Sequence, residues 1–310
     1  MEKKSIPIII VHTGDSFYLE PVLQQVRLFN PDNDIYLISD ESTNHYEFVS
    51  HVKISNYYTK AEEFKRHYKH MSPNPYGYEL FCFQRWFIIQ DFAEKNNLNH
   101  FLCLDSDVLI YCAIDSVFQK WLNSDITICQ PNGPQYTLFN RKSLQQFCNF
   151  MLSHYTQHEK YEQLKQWYSL IAFGGICDMT FIKYYAQTPT IHVVDTSEIF
   201  DASCFDVNMQ SQQGFEMQGR IKKIYWKDGL PYGKKIQTGE FVRFNALHFQ
   251  GGVKHVMNKY LSGYSKQNVL ENLKWYVNPK RIKCRWGELK KIIGNKDMLV
   301  HAIKKKIGKA

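Results

Sequence analysis

The alternation of apolar and polar stretches sets the first half of the chain out as strands and helices in turn. IPIIIV (6–11) is an unbroken apolar run that stops at His12-Thr13-Gly14-Asp15, the pattern of a buried parallel strand entering a turn. Residues 16–29 then place Leu19, Val22, Leu23, Val26 and Phe29 at helical spacing. NPDND breaks that helix, and IYLIS (35–39) reads as a second strand ending at Asp40. HVKIS (51–55) reads as a third, and AEEFKRHYKH as an exposed helix. Residues 78–96, YELFCFQRWFIIQDFAEKN, are apolar almost all round, which predicts a helix buried against a sheet. Strands are expected again at FLCL and at DITICQ (125–130).

The second half is less regular. FGGICDMTFIKYYAQ (173–187) reads as a glycine turn followed by a helix, and IHVVD (191–195) and KKIYW (222–226) as strands. FVRFNALHFQGG (241–252) is a strand running into paired glycines. The whole predicts an α/β fold with a mixed, mostly parallel central sheet flanked by helices and joined by right-handed crossovers. In such sheets ligands bind beyond the carboxyl ends of the strands. Three polar clusters fall there: residues 12–15, Ser39-Asp40 and Asp105-Ser106-Asp107. With no internal repeat or low-complexity linker, the simplest division is one domain over residues 1–256 and a tail over 257–310.

Charge sharpens that division. Of the net +8, residues 280–310 hold eleven Lys/Arg and two Asp/Glu, so the tail carries 11 − 2 = +9 and the rest 8 − 9 = −1. Leu289, Ile292, Ile293, Leu299, Val300, Ile303 and Ile307 recur at near-helical spacing between the tail lysines. Such a segment suits an anionic membrane surface. The body lacks a basic stripe with interleaved aromatics, so no nucleic-acid partner is expected. No apolar run is long enough to cross a bilayer, and the N-terminal one is too short for a signal peptide. The expectation is a cytoplasmic protein, peripheral on the inner face of the membrane. Its eight cysteines are scattered with no C-x-x-C pair, which argues for reduced core thiols and against a zinc site.

Two motifs bear on chemistry. In FLCLDSDVLI (101–110) two aspartates interrupt an apolar stretch, where an unpaired charge is costly to bury. A turn accounts for them; so does a divalent cation held by carboxylate oxygens. The second motif, HFQGGVK (248–254), has the spacing H-x-x-G-x-x-K. Its glycines let backbone approach a ligand closely, and its lysine suits phosphate. Two carboxylates and an imidazole suit Mn²⁺ or Mg²⁺ better than zinc.

Together, LDSDVLI followed by AIDSVF, with H-x-x-G-x-x-K near residue 250, resemble the GT-A (Rossmann-like) glycosyltransferases. Within these the chain is most similar to the family 8 galactosyl- and glucosyltransferases, over roughly residues 6–256. The resemblance implies that Asp105, Asp107 and His248 hold Mn²⁺ (or Mg²⁺) against the diphosphate of a nucleotide sugar, UDP-hexose above others. It implies that Lys254, Gly251 and Gly252 steady that diphosphate, and that Thr13, Asp15 and Asp40 lie near the nucleoside. Ser106 belongs to the same donor site, and Arg85 either reaches the donor or ties its own helix down. The acceptor implied is a glycan or lipid-linked glycan in surface polysaccharide or lipopolysaccharide synthesis. Two features depart from the pattern: Lys254 is followed by His255-Val256 rather than Pro-Trp, and Phe173-Gly174-Gly175 stands where an Asn usually precedes the small residues. Family 8 enzymes retain anomeric configuration, whereas GGICDM resembles the glycine-then-acid segment of inverting GT-A enzymes, so both outcomes stay open. In the inverting one Asp178 is the general base, with a helix cap as its structural alternative.

Rival functions fit less well. A haloacid-dehalogenase-type phosphatase has its D-x-D near the N-terminus and Thr or Val two residues beyond it, where this chain has Leu109. A nucleotidyltransferase wants a glycine-rich loop that HTGDSF does not supply. A non-catalytic binding protein on a decayed transferase fold is the remaining rival.

Overall fold

The computed structural model describes residues 5–130, 133–171 and 174–262. The tail helices and their membrane contact lie outside the described residues. In chain order the first strands are β1 (Ile8–His12), β2 (Ile35–Ser39), β3 (Ser50–Lys53), β4 (His100–Leu104), β5 (Val108–Ile110), β6 (Ile126–Ile128) and β7 (Tyr136–Asn140). There follow β8 (Val193–Asp195), β9 (Ser203–Phe205), β10 (Met217–Gln218), β11 (Ile221–Lys222), β12 (Tyr225–Lys227), β13 (Leu230–Lys234) and β14 (Phe241–His248). The helices are α1 (Leu19–Phe29), α2 (Thr59–His67), α3 (Tyr76–Lys95), α4 (Ile114–Phe118), α5 (Arg141–Thr156), α6 (His158–Leu170) and α7 (Asp178–Ala186).

Seven strands form the main sheet in the order β3-β2-β1-β4-β7-β6-β8. Only β7 runs against its neighbours; the other pairings are parallel. This is the mixed, mostly parallel sheet that the strand-helix alternation predicts. Both its faces are covered, which is why its strands read as continuous apolar runs. Ile8 and Ile10 of β1, with Leu102 and Leu104 of β4, face the core shared with α1 and the second sheet. Ile9, Phe101 and Cys103 alternate to the opposite core, which α3 and α5 fill.

Two expectations are corrected. α2 is not wholly exposed: Ala61 and Phe64 are buried, and Phe64 stacks on Phe87 at 4.7 Å. KKIYW is not one strand but the end of β11 and the start of β12, separated at Lys223-Ile224.

Strand order reverses between β1 and β4, and such a switch point opens a crevice at the strands' carboxyl ends. FLCLDSDVLI straddles it. β4 ends at Leu104, the chain crosses over through Asp105-Ser106-Asp107, and β5 joins a second sheet ordered β12-β13-β14-β5. β5 pairs antiparallel with β14 so that Val108 faces His248. That register carries the end of the second motif to the first.

Candidate functional site

One oxygen from each of Asp105 and Asp107 and one ring nitrogen of His248 lie within 4.8 Å of one another. They sit in a cleft of about 750 Å³ that is also lined by Arg85, Asp178, Gly251 and Lys254. Two helices wall the cleft: a stripe of α3, with Tyr78, Cys82 and Arg85 at positions i, i+4 and i+7, and the first turns of α7 from Asp178 to Tyr184.

His248 is held on every side. Its backbone N–H donates to Asp206 Oδ2 (3.2 Å), and its carbonyl accepts from the Met209 N–H (3.0 Å). Nδ1 lies 2.8 Å from the Val207 carbonyl, which can only accept, so Nδ1 carries the proton. Nε2 is thereby turned toward Asp107 Oδ1 at 3.5 Å. A backbone acceptor behind a ligating imidazole is the usual support of a metal-binding histidine. Asp107 is 8% exposed, and its Oδ2 is 2.8 Å from Lys254 Nζ. Burial alone would raise the Asp107 carboxyl, but His248 and Lys254 outweigh it and hold it well below the usual carboxylate range. The same partnership, working against burial, lifts His248 to about 9. Lys254 is likewise raised by Asp107 against its own desolvation.

The second carboxylate pairs separately. Arg85 Nη1 meets Asp105 Oδ1 at 2.5 Å, and Nη2 meets Asp178 Oδ2 at 2.7 Å. Desolvation works against its charge, but the two carboxylates more than restore it, so the guanidinium stays well above its ordinary value. Asp178 is 4% exposed and also accepts from Trp86 Nε1 (3.0 Å) and the Met179 N–H (2.9 Å). Both its oxygens are engaged. The α7 cap is made by Cys177 with Thr180 rather than by Asp178. Asp178 therefore anchors Arg85 to α7 while lining the cleft.

Asp105, Asp107, His248, Lys254, Arg85, Asp178 and Gly251 converge on the one cleft. Thr13, Asp15, Asp40, Ser106 and Gly252 do not line it. Asp40 accepts from the Gly14 N–H (3.1 Å), from Ser42 and from Thr43, closing the turns after β1 and β2. Burial pushes against its charge, but those hydrogen bonds prevail and lower its carboxyl. Asp15 bonds Asn44 (3.1 Å), and Thr13 is exposed. Ser106 Oγ is 2.9 Å from Nδ1 of His12, whose Nε2 is buried without a hydrogen-bond partner. Burial, reinforced by Lys254, lowers His12 to about 4 and keeps it neutral.

Asp206, Val207, Tyr18 and Tyr78 join the site without having been expected there. Asp206 and Val207 act through His248. Tyr18 lies under Lys254, with the ammonium 4.9 Å from its ring centre. Asp206, Val207 and Tyr18 carry no spacing signal because packing brings them in, whereas Tyr78 lies seven residues before Arg85 on α3, a helical period that points to the same face.

The donor set passes a chemical test for a divalent ion. Two carboxylates and one neutral-capable imidazole, with a fixed tautomer, match the oxygen-rich preference of Mn²⁺ or Mg²⁺. The trio's charges are balanced here by Lys254 and Arg85.

No protein-family model matches the chain, and no curated protein matches it. Solved structures do. The apo form of mouse xyloside xylosyltransferase 1 is 14% identical, with 62% of this chain and 86% of that chain covered at a TM-score of 0.44. The galactosyltransferase LgtC, in complex with donor and acceptor sugar analogs, is 10% identical over 84% of this chain and 96% of that one, with a TM-score of 0.42. The glycosyltransferase GlyE of Streptococcus pneumoniae TIGR4 is 11% identical over 63% of this chain and 46% of its own, with a TM-score of 0.35.

Proposed function

We propose that the chain is a metal-dependent GT-A glycosyltransferase that moves a hexose from a nucleotide sugar, UDP-linked above others, to a glycan or lipid-linked acceptor. The observation that carries this reading is the convergence of Asp105, Asp107 and His248 with two cations, Lys254 and Arg85, at a strand-end crevice. Asp105, Asp107 and His248 Nε2 would hold Mn²⁺ or Mg²⁺. When bound, such an ion supplies positive charge against the negative charge that develops on a leaving diphosphate. Lys254 and Arg85 add fixed positive charge at the same place, and a partly buried site makes both more effective than they are in water. Arg85 is aimed by two carboxylates at once, so its guanidinium arrives pre-oriented. Asp178 does this orienting. With both its oxygens engaged, it is a weaker candidate for the proton acceptor than for the anchor.

The basic tail is read as an attachment to the anionic inner face of the membrane, where a lipid-linked acceptor resides. Release of free nucleoside diphosphate from a panel of UDP, GDP and CDP hexoses, with Mn²⁺ and a membrane glycolipid extract, tests the reaction. Turnover with one nucleotide is expected, falling at least 100-fold in Asp107→Ala. Binding of a nucleotide without turnover of any sugar would favour the non-catalytic alternative.

A further inference from the structure

Lys222 and Asp206 form an ion pair in which both side chains are fully buried. Nothing in the proposed chemistry uses either charge directly, and a buried pair is no simple aid to stability, because desolvation offsets much of its attraction. Its placement is informative. Lys222 ends β11, the second strand of a small hairpin formed with β10. Its ammonium donates to Asp206 Oδ1 (2.7 Å), to the Asn208 carbonyl (2.7 Å) and to Gln213 Oε1 (3.3 Å). All three acceptors lie on the single loop that leaves β9, and the backbone N–H of Lys222 also donates to the Met209 carbonyl (2.7 Å).

That same loop holds His248. Asp206 Oδ2 accepts the His248 backbone N–H, the Val207 carbonyl accepts from Nδ1, and the Met209 N–H donates to the His248 carbonyl. One carboxylate therefore faces two ways, with Oδ1 on Lys222 and Oδ2 on His248.

We propose that Asp206 and Lys222 are a positioning pair for the metal site: the Lys222 ammonium draws the 206–213 loop closed around His248 and so fixes which ring nitrogen faces Asp107. This rests on the metal reading above and deepens it. The reciprocal consequence is a linkage. If the loop orients the ligand, ligation must steady the loop, since coupling between two sites acts equally in both directions.

The test uses the full chain and Mn²⁺ alone. Asp206→Asn with Lys222→Met removes both charges together, an exchange that buried ion pairs often tolerate. The double variant is expected to keep the wild-type circular dichroism and to bind Mn²⁺ about 10–100-fold more weakly by calorimetry, the usual cost of losing an outer-shell partner. A folded double variant with wild-type Mn²⁺ affinity would overturn the proposal. Should that variant fail to fold, hydrogen exchange on the wild-type chain decides. Mn²⁺ is expected to slow amide exchange across residues 206–222 several-fold, and no slowing would overturn the linkage. A wild-type chain that binds no Mn²⁺ overturns the metal reading and this proposal together, whereas wild-type binding with an unaffected double variant overturns this proposal alone.

Discussion

His248 couples the site to pH. Its ring is lifted from the ordinary 6.5 to about 9, so the paired form is favoured in the folded chain. That contribution is fully present below pH 6.5 and is lost as pH rises through about 9. His12 has the opposite sign: lowered to about 4, it costs stability as pH falls from 6.5 through 4. Without metal, the melting temperature should therefore peak near neutrality. The decline toward pH 9 should be smaller in His248→Gln, as scanning calorimetry across pH 5–9 would show; an unchanged alkaline limb would contradict the pairing. Arg85 makes a second prediction. Replacing it with Met strands the buried Asp178, which should cost about 3–5 kcal/mol in urea unfolding. A loss within the error of wild type would mean that the pair is dispensable. At this scale the sequence was legible where residues share a motif: spacing singled out Asp105, Asp107, His248 and Lys254 as candidates, and the family resemblance supplied their expected roles. Lys222 was not singled out, since in a segment rich in lysine it looks like any exposed one.

The glycine turn before α7 shows what an element contributes. Gly175 has φ +69°, and a Cβ there would stand 2.4 Å from the Met71 carbonyl oxygen and 2.6 Å from Ser72 Cα. The Ile176 N–H donates to that same carbonyl at 2.7 Å, so two loop backbones touch directly at the cleft wall. Gly175→Ala meets both a steric and a conformational obstacle, and should cost about 1–3 kcal/mol from overpacking, measured by denaturant unfolding. Wild-type stability would show that the close approach is not real. The paired glycines announced a turn and the segment after them a helix; Gly174 and Gly175 both take positive φ, and α7 follows. Residues 131–172 hold β7, α5 and α6, none of which is among the expected elements. In β7 Thr137 interrupts the apolar run, and α6 has only Leu164 and Trp167 buried, so neither imposes a strong pattern; α5 does carry a helical period at Leu144, Phe147, Cys148, Met151 and Tyr155. β5 and β9 escaped because three residues of strand are too few to establish alternation, and β13 because Pro231 and Gly233 make LPYGK read as a turn.

For the whole molecule, two sheets meet at one crevice, and the D-x-D crossing is where they join. The rim of the first sheet could be inferred from polar clusters at strand ends, because parallel strands are buried runs with abrupt polar stops. The second sheet could not, and so neither could the pairing that delivers His248 to Asp107. The expected nucleoside contacts at Thr13, Asp15 and Asp40 sit on that rim outside the cleft, with Asp40 occupied in closing a turn. The charge imbalance between body and tail also belongs to this scale. Reversing Lys304, Lys305 and Lys306 to Glu should lower binding to anionic vesicles at least tenfold, with no change in Mn²⁺ affinity; co-sedimentation with phosphatidylglycerol vesicles checks it, and undiminished binding would sink the membrane role of the tail.

The most direct measurement is a calorimetric titration of UDP into the wild-type chain and into Asp107→Ala, each with and without Mn²⁺. Saturable binding to the wild type that requires Mn²⁺, and its loss in the variant, is the expected result. Binding that is indifferent to Mn²⁺, or that survives in Asp107→Ala, would contradict a metal-bridged nucleotide site at Asp105, Asp107 and His248.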